Sequence, residues 1–285
     1  MPFTGRPTPF TDRPAAAPEP AAALVPVDGR ATFADAVRSE WTKLRTLRSS
    51  LYSVVATIVV GVGMAFLFTS GTAEGYADMT AAERAEWDPT LTSLMGATLF
   101  AQLTVGALGV LSTSGEFATG MISTSLTAVP RRMRVLAAKA LVITVVGLAV
   151  GELVSVGGFL LGQQVLVGMD VPHASLTDHE SLRAVVGAGL YLALVGLLGA
   201  ALGVLIRSTA GAIVVLVVAA IIVPYLLGPL LPPLVRGFWP IMAGMMVMST
   251  TTETGIPAFT LLGIMIAGVG ATAAVACAVF RRRDI

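Results

Sequence analysis

The chain has 285 residues, 55% of them hydrophobic and only 12% charged, with a net charge of +1. A soluble domain of this size carries roughly 25% charged residues, so the composition excludes one and points to an integral membrane protein. A balance so close to neutral argues neither for nor against nucleic acid, and no such partner is expected.

The single cysteine, Cys277, lies in the last apolar stretch, so one chain can build neither a disulfide nor a thiolate metal site. Of the 18 basic residues only Lys43 and Lys139 are lysines, a bias that reads as genomic composition. Residues 1–31 are rich in Pro and Ala, lack the apolar core of a signal peptide, and read as a disordered tail. Residues 32–285 then form one membrane domain.

From Thr32 to Arg48 the pattern predicts a helix lying along a membrane surface. Thr32 and Asp35 suit a capping box, and Phe33, Val37, Trp41, Leu44 and Leu47 share one face. Arg38, Arg45 and Arg48 point toward phosphates and water, and Trp41 suits the interface depth.

Crossing the hydrocarbon core takes about 20 apolar residues. Six segments qualify, at 51–69, 91–113, 135–162, 184–206, 210–230 and 258–280. The connections 70–90 and 163–183 are acidic. Arg38, Lys43, Arg45 and Arg48, then Arg131, Arg132 and Arg134, then Arg207, then Arg281, Arg282 and Arg283 fall on the opposite side. Basic loops stay in the cytoplasm, which predicts six spans with both termini inside.

Between the second and third spans, residues 114–134 are too polar to cross and too patterned for a slack loop. Drawn as a helix, Glu116, Thr119, Ser123 and Thr127 share one face, and Ala118, Ile122, Leu126 and Val129 the other. Pro130 ends it. Region 231–257 is broken by Pro232, Pro233 and Pro240, and its short apolar run predicts a re-entrant or interfacial hairpin on the outer side.

Within the spans, Glu152 is the costliest residue, at roughly 2.5–3.5 kcal/mol on insertion scales. It reads either as a polar lining of a transport path or subunit contact, or as a structural acid. Gln102, in mid-span, is a candidate partner for it. Gly147/Gly151, Gly158/Gly162 and Gly199/Gly203 mark close helix approaches, chiefly within the chain. Met242, Met245, Met246 and Met248 read as packing.

The sequence contains no Gly-x-x-x-x-Gly-Lys-Ser/Thr phosphate loop and no His-Glu-x-x-His pair. His173 and His179 lie in the acidic loop at no metal-binding spacing. Neither catalytic residues nor a metal or other cofactor on this chain is expected.

The pattern resembles the membrane-spanning permease subunits of type-2 ATP-binding-cassette (ABC-2) transporters. The carrying residues are Arg38-Ser-Glu-Trp-Thr-Lys-Leu-Arg-Thr-Leu-Arg-Ser49 and Gly115-Glu-Phe-Ala-Thr-Gly-Met121, followed by Pro130-Arg-Arg and Val135-Leu-Ala-Ala-Lys139. The likeness extends over residues 33–283.

The resemblance implies an all-α fold. Residues 33–48 would be the connecting helix, 115–129 the cytoplasmic coupling helix, and 231–257 outer re-entrant helices between the fifth and sixth spans. It assigns contact with a separate cytoplasmic ATPase subunit to Glu116, Phe117, Thr119, Gly120, Met121, Ser123 and Thr127. Arg38, Trp41, Lys43, Arg45 and Arg48 fall on the connecting helix.

Glu116 would contact the ATPase or the connecting helix, through Lys43 or Arg45, or simply compensate a helix N-terminus. ATP and Mg would sit on the partner. A second permease copy or paralogue would complete a unit in the bacterial plasma membrane that exports a hydrophobic or amphipathic substrate. An ATP-independent transporter or channel, or a membrane scaffold or sensor, is the competing expectation.

Overall fold

The computed structural model describes residues 32–118, 132–232, 238–250 and 255–282. Among these, every regular element is helical. The chain opens with α1 (Phe33–Thr46), capped as its sequence predicts. Asp35 N donates to Thr32 Oγ1 at 3.2 Å, and Thr32 N donates back to Asp35 Oδ2 at 2.9 Å. Leu47 breaks the helix and α2 (Arg48–Glu74) follows. After the small α3 (Ala81–Ala85) come α4 (Pro89–Ala118), α5 (Arg132–Gly168) and α6 (His179–Ile206). Next is α7 (Thr209–Val217), which runs on as a π-helical stretch Val218–Leu227. The seven-residue α8 (Pro240–Met246) and the long α9 (Ala258–Arg282) complete the order.

Six stretches are long and apolar enough to cross a bilayer: Arg48–Asp78, Pro89–Phe117, Met133–Gly168, His179–Ile206, Thr209–Leu230 and Ala258–Arg282. All six expected spans are present, each extended at one or both ends. The second shows why. Ser112 Oγ donates to Gly109 O at 2.7 Å and Ser114 Oγ to Val110 O at 2.8 Å, so polar side chains fold back on the helix instead of ending it.

The bundle is centred on α4 and α6, most of whose residues are buried, while α2, α7 and α9 keep most of their surface outward. Lipid supplies no hydrophobic drive between helices, so contact depends on close van der Waals packing. Small residues provide it. A Cβ on Gly151 of α5 would stand 2.6 Å from Gly189 O of α6, and one on Gly162 2.6 Å from the Ser93 side chain of α4. Gly199 and Gly203 of α6 meet Gly106 and Thr113 of α4 in the same way. The glycine spacings therefore serve packing within the chain.

Polar groups in the interior are paired across helices. Gln163 Nε2 donates to Ser93 Oγ at 2.7 Å and to Pro89 O at 3.0 Å, while its Oε1 accepts from Ala174 N at 2.7 Å. Thr90 and Ser181 hydroxyls meet at 2.9 Å.

The fifth span has a distinctive backbone. In an i→i+5 ladder the partner of Ala219 O is Pro224, which has no N–H. Trp239 Nε1 donates to that carbonyl at 3.2 Å instead. Pro240 packs against Gly268, midway along α9, and Gly244 against Tyr191 and Met265. At about 1.5 Å per residue α8 is roughly 10 Å long, too short to cross. The chain then returns to the end of the bundle opposite α1, where the half-buried Arg183 and the buried Asp88 hold it. Arg183 Nη1 donates to Val247 O and Nη2 to Ser249 O, both at 2.8 Å, and Asp88 Oδ2 accepts from Thr250 N at 2.7 Å. The four methionines serve packing: Met248 is buried in the main core, Met245 packs on it, and Met242 lies against Gly228.

Candidate functional site

The α1 helix presents a divided apolar surface. Val37 and Leu44 turn toward the bundle core, together with the buried Ala36 and Glu40. Phe33, Trp41 and Leu47 remain exposed. One apolar stripe was expected. The outcome is two, because the face that docks on α5 and α2 is centred one residue before Trp41, at Glu40.

That docking face carries the most unusual polar arrangement in the molecule. Lys43 Nζ of α1 lies 2.7 Å from Glu40 Oε1 and 2.9 Å from Glu116 Oε1, in the last turn of α4. Lys139 Nζ, on the first turns of α5, lies 3.0 Å from the same Glu116 oxygen and also hydrogen-bonds Glu40 Oε2. Glu40, Glu116 and Lys139 are each more than nine-tenths buried. Three segments, far apart in sequence, are thus tied by two acids and two bases whose charges sum to zero.

Removing such charges from water costs several kcal/mol per ion, which attraction offsets only when geometry and hydrogen bonding are good. Both Glu40 oxygens and Glu116 Oε1 meet that condition. Glu116 Oε2 is buried and accepts no hydrogen bond. Burial alone pulls the Lys43 ammonium down, but the hydrogen bonds and charges of Glu40 and Glu116 outweigh it and hold the group above its ordinary value.

Phe117 begins a second contact. Its ring lies 6.4 Å from Phe280 at the end of α9, edge to face, and the Arg207 guanidinium sits 4.8 Å above its centroid. Arg207 itself caps α6 in a left-handed conformation, with φ 55°. The ends of α4, α6 and α9 are therefore held together beside the ion cluster.

Of the other residues expected at this site, Thr119, Gly120, Met121, Ser123 and Thr127 lie outside the described residues. So does the 119–129 part of the helix drawn over 115–129. Gly115 through Ala118 continue α4 without a break, so Glu116 ends the second span. Lys43 reaches Glu116 as anticipated. Arg45 does not, being exposed on α1 with Arg38, while Arg48, expected on the same helix, is exposed at the start of α2 because Leu47 breaks the two apart.

Gln102 is engaged elsewhere than expected. Its Oε1 accepts from Tyr191 and its Nε2 donates to Leu99 O at 3.1 Å. Glu152 is half-buried and lies against Gly189, whose missing side chain makes room for the carboxylate.

Glu40 was missed by sequence reasoning, and Lys139 was quoted without a role. A signal for the lysine was in view: the chain has only two lysines, and both are in this cluster. The bias set aside as genomic composition accompanies a specific placement.

Six bilayer-length helices, with interior polar groups such as Gln163 and Thr90 paired between them, define a multi-pass membrane protein, and its charged machinery gathers at the α1 end. The family model for an ABC-2 family transporter protein matches residues 36–224, well over half of the chain, and the chain belongs to that family. The match begins within α1 and closes at Pro224, so α8 and α9 lie beyond it. No curated protein sequence matches the chain. Membership makes it a membrane permease component of a transporter.

Proposed function

We propose that this permease is the membrane half of an ATP-driven exporter, powered by a separate ABC ATPase that docks at the α1 end. Orientation follows from charge. Arg38, Lys43, Arg45, Arg48, Lys139, Arg281 and Arg282 gather at that end, while Glu74, Asp78, Glu83, Glu86, Asp88 and Asp170 gather at the other. The basic end belongs in the cytoplasm of a bacterial plasma membrane.

One observation carries the reading: Glu116, the acid at the start of the segment expected to couple, is gripped by one lysine from α1 and one from α5. A push delivered just after Phe117 then moves α1, the end of α4 and the start of α5 as one body. ATP and Mg bind on the partner, and this chain makes no bond to either. Two permease copies, or this chain and a paralogue, rock between inward- and outward-facing states. Segment 231–257 serves as an outer re-entrant hairpin, in keeping with the seat of Trp239 on Ala219 and of Pro240 on Gly268. The largely apolar interior suits a hydrophobic or amphipathic substrate.

The test is purification of the tagged chain with its bound partners, followed by reconstitution. An ABC ATPase should co-purify, and Glu116→Gln should leave ATP hydrolysis in place while lowering ATP-driven export at least about tenfold. Full export with no ATPase present, or labelling that places Arg38 and Arg45 outside the cell, overturns the reading.

A further inference from the structure

Beside the ion cluster a cleft of about 250 Å³ opens between α1, the start of α2, the end of α4 and the start of α5. It is smaller than the roughly 300–1,000 Å³ of pockets for drug-sized ligands, so it admits a small polar group. Three features of its wall define the chemistry of an occupant.

First, Glu116 lines the cleft and its buried Oε2 lacks a donor. An unpaired buried carboxylate oxygen calls for an N–H or O–H, and a cation supplies the stronger bond. Second, Ser49 and Ser50, in the first turn of the 27-residue α2, also line it. Leu47 at the N-cap gives that turn no side-chain cap and Ser50 N is bonded to Leu47 O, so the N–H groups of Arg48 and Ser49 and the partial positive charge there favour an anion. Third, the four cluster charges already cancel, so an occupant that adds no net charge preserves the balance. Together these ask for an ammonium donor and an anion in one neutral group.

Leu47, at the α1–α2 elbow, lines the cleft and is exposed, as are the apolar Leu51 and Tyr52 that follow it on this membrane-embedded chain. We infer that this cleft binds the headgroup of an aminophospholipid, its primary ammonium on Glu116 and its phosphate at the start of α2. Its acyl chains would run beside Leu47 and Leu51. Such a lipid would brace the elbow against the bundle. This inference stands apart from the ATPase reading, since it requires only that the chain sit in a bilayer.

The experiment uses the delipidated full-length chain in detergent, titrated with phosphatidylethanolamine, phosphatidylcholine and phosphatidylglycerol, and follows its thermal midpoint. Phosphatidylethanolamine should stabilise at a concentration at least about tenfold lower than the other two. Phosphatidylcholine has no N–H to give, and phosphatidylglycerol has no cation. Glu116→Gln should abolish the preference, as should Ser112→Leu, which fills the cleft while leaving all four charges in place. Equal stabilisation by phosphatidylcholine, or a preference that survives Ser112→Leu, overturns the inference. Glycerophosphoethanolamine, which has no acyl chains, should fail to compete at the same concentration. Equal competition would make the ligand a free phosphoamine and sink the lipid assignment.

Discussion

Lys139 Nζ and Glu116 Oε1 meet at 3.0 Å, joining the first turns of α5 to the last turn of α4. Each side chain is also bonded to α1, through Glu40 and Lys43 respectively. Losing one member leaves an unbalanced buried charge. Lys139→Met should therefore destabilise the chain by about 3–5 kcal/mol. Adding Glu116→Gln restores neutrality and leaves the Glu40–Lys43 pair intact. The double variant should then lose about 0.5–3 kcal/mol less than the sum of the single losses, measured by a double-mutant cycle of unfolding in detergent. Additive losses would show that the pair acts independently.

Arg183 bears on the opposite end of the bundle. It supplies two donors to the chain after α8, and hydrogen bonds to charged groups are worth about 1.5–3 kcal/mol. Arg183→Met should raise hydrogen exchange at the amides of residues 247–250 by about 10- to 100-fold. Exchange in α4 and α6 should stay unchanged. Uniform acceleration across the bundle would mean that the arginine holds the whole fold rather than this segment.

Two glycines give opposite expectations for one substitution. Gly151→Ala puts a methyl group 2.6 Å from the backbone oxygen of Gly189, which cannot move alone, and should cost about 1–3 kcal/mol. Gly63, exposed within α2, has nothing within 4 Å of an added Cβ. Gly63→Ala should be neutral, or stabilising by up to about 1 kcal/mol through helix propensity. Thermal unfolding of the two variants checks both signs.

The pH dependence of α1 follows from two shifts with different signs. Hydrogen bonds from Thr32 hold the Asp35 carboxyl below its ordinary 3.8, so its cap is fully present above that value and is lost as pH falls through the depressed one. Lys43 is raised above 10.5, so its contribution is complete below 10.5 and is lost as pH rises through the higher folded value. A nitroxide on Trp41→Cys, in a Cys277→Ala chain, should show constant mobility between those limits and gain mobility beyond each. Release of α1 near neutral pH would contradict this.

Much of the architecture was legible in the sequence because it depends on local periods. The spans follow from uninterrupted apolar length, the Thr32–Asp35 cap from adjacent side chains, and the close approaches from glycines four residues apart. What escaped depends on packing between distant segments. Glu40 reads as one more polar residue on α1 until the angle of docking turns it inward against Lys139, 99 residues away. Gln102 was matched with Glu152 of α5, and the register of α6 against α4 gave it Tyr191 instead. Glu116 was placed on a separate helix because residues 114–134 are too polar to cross, yet Ser112, Thr113 and Ser114 do not end α4. Their hydroxyls bond back to carbonyls one turn earlier, and α4 continues.

The placement of the lysines has a practical corollary. Both ammonium groups are locked against carboxylates, so an acylating reagent finds no free ε-amine on the folded surface. Any agent that lifts α1 away unmasks both at once. Covalent tagging at Lys43 and Lys139, read by mass spectrometry, becomes an intrinsic chemical alarm for that separation, with no probe engineered into the chain.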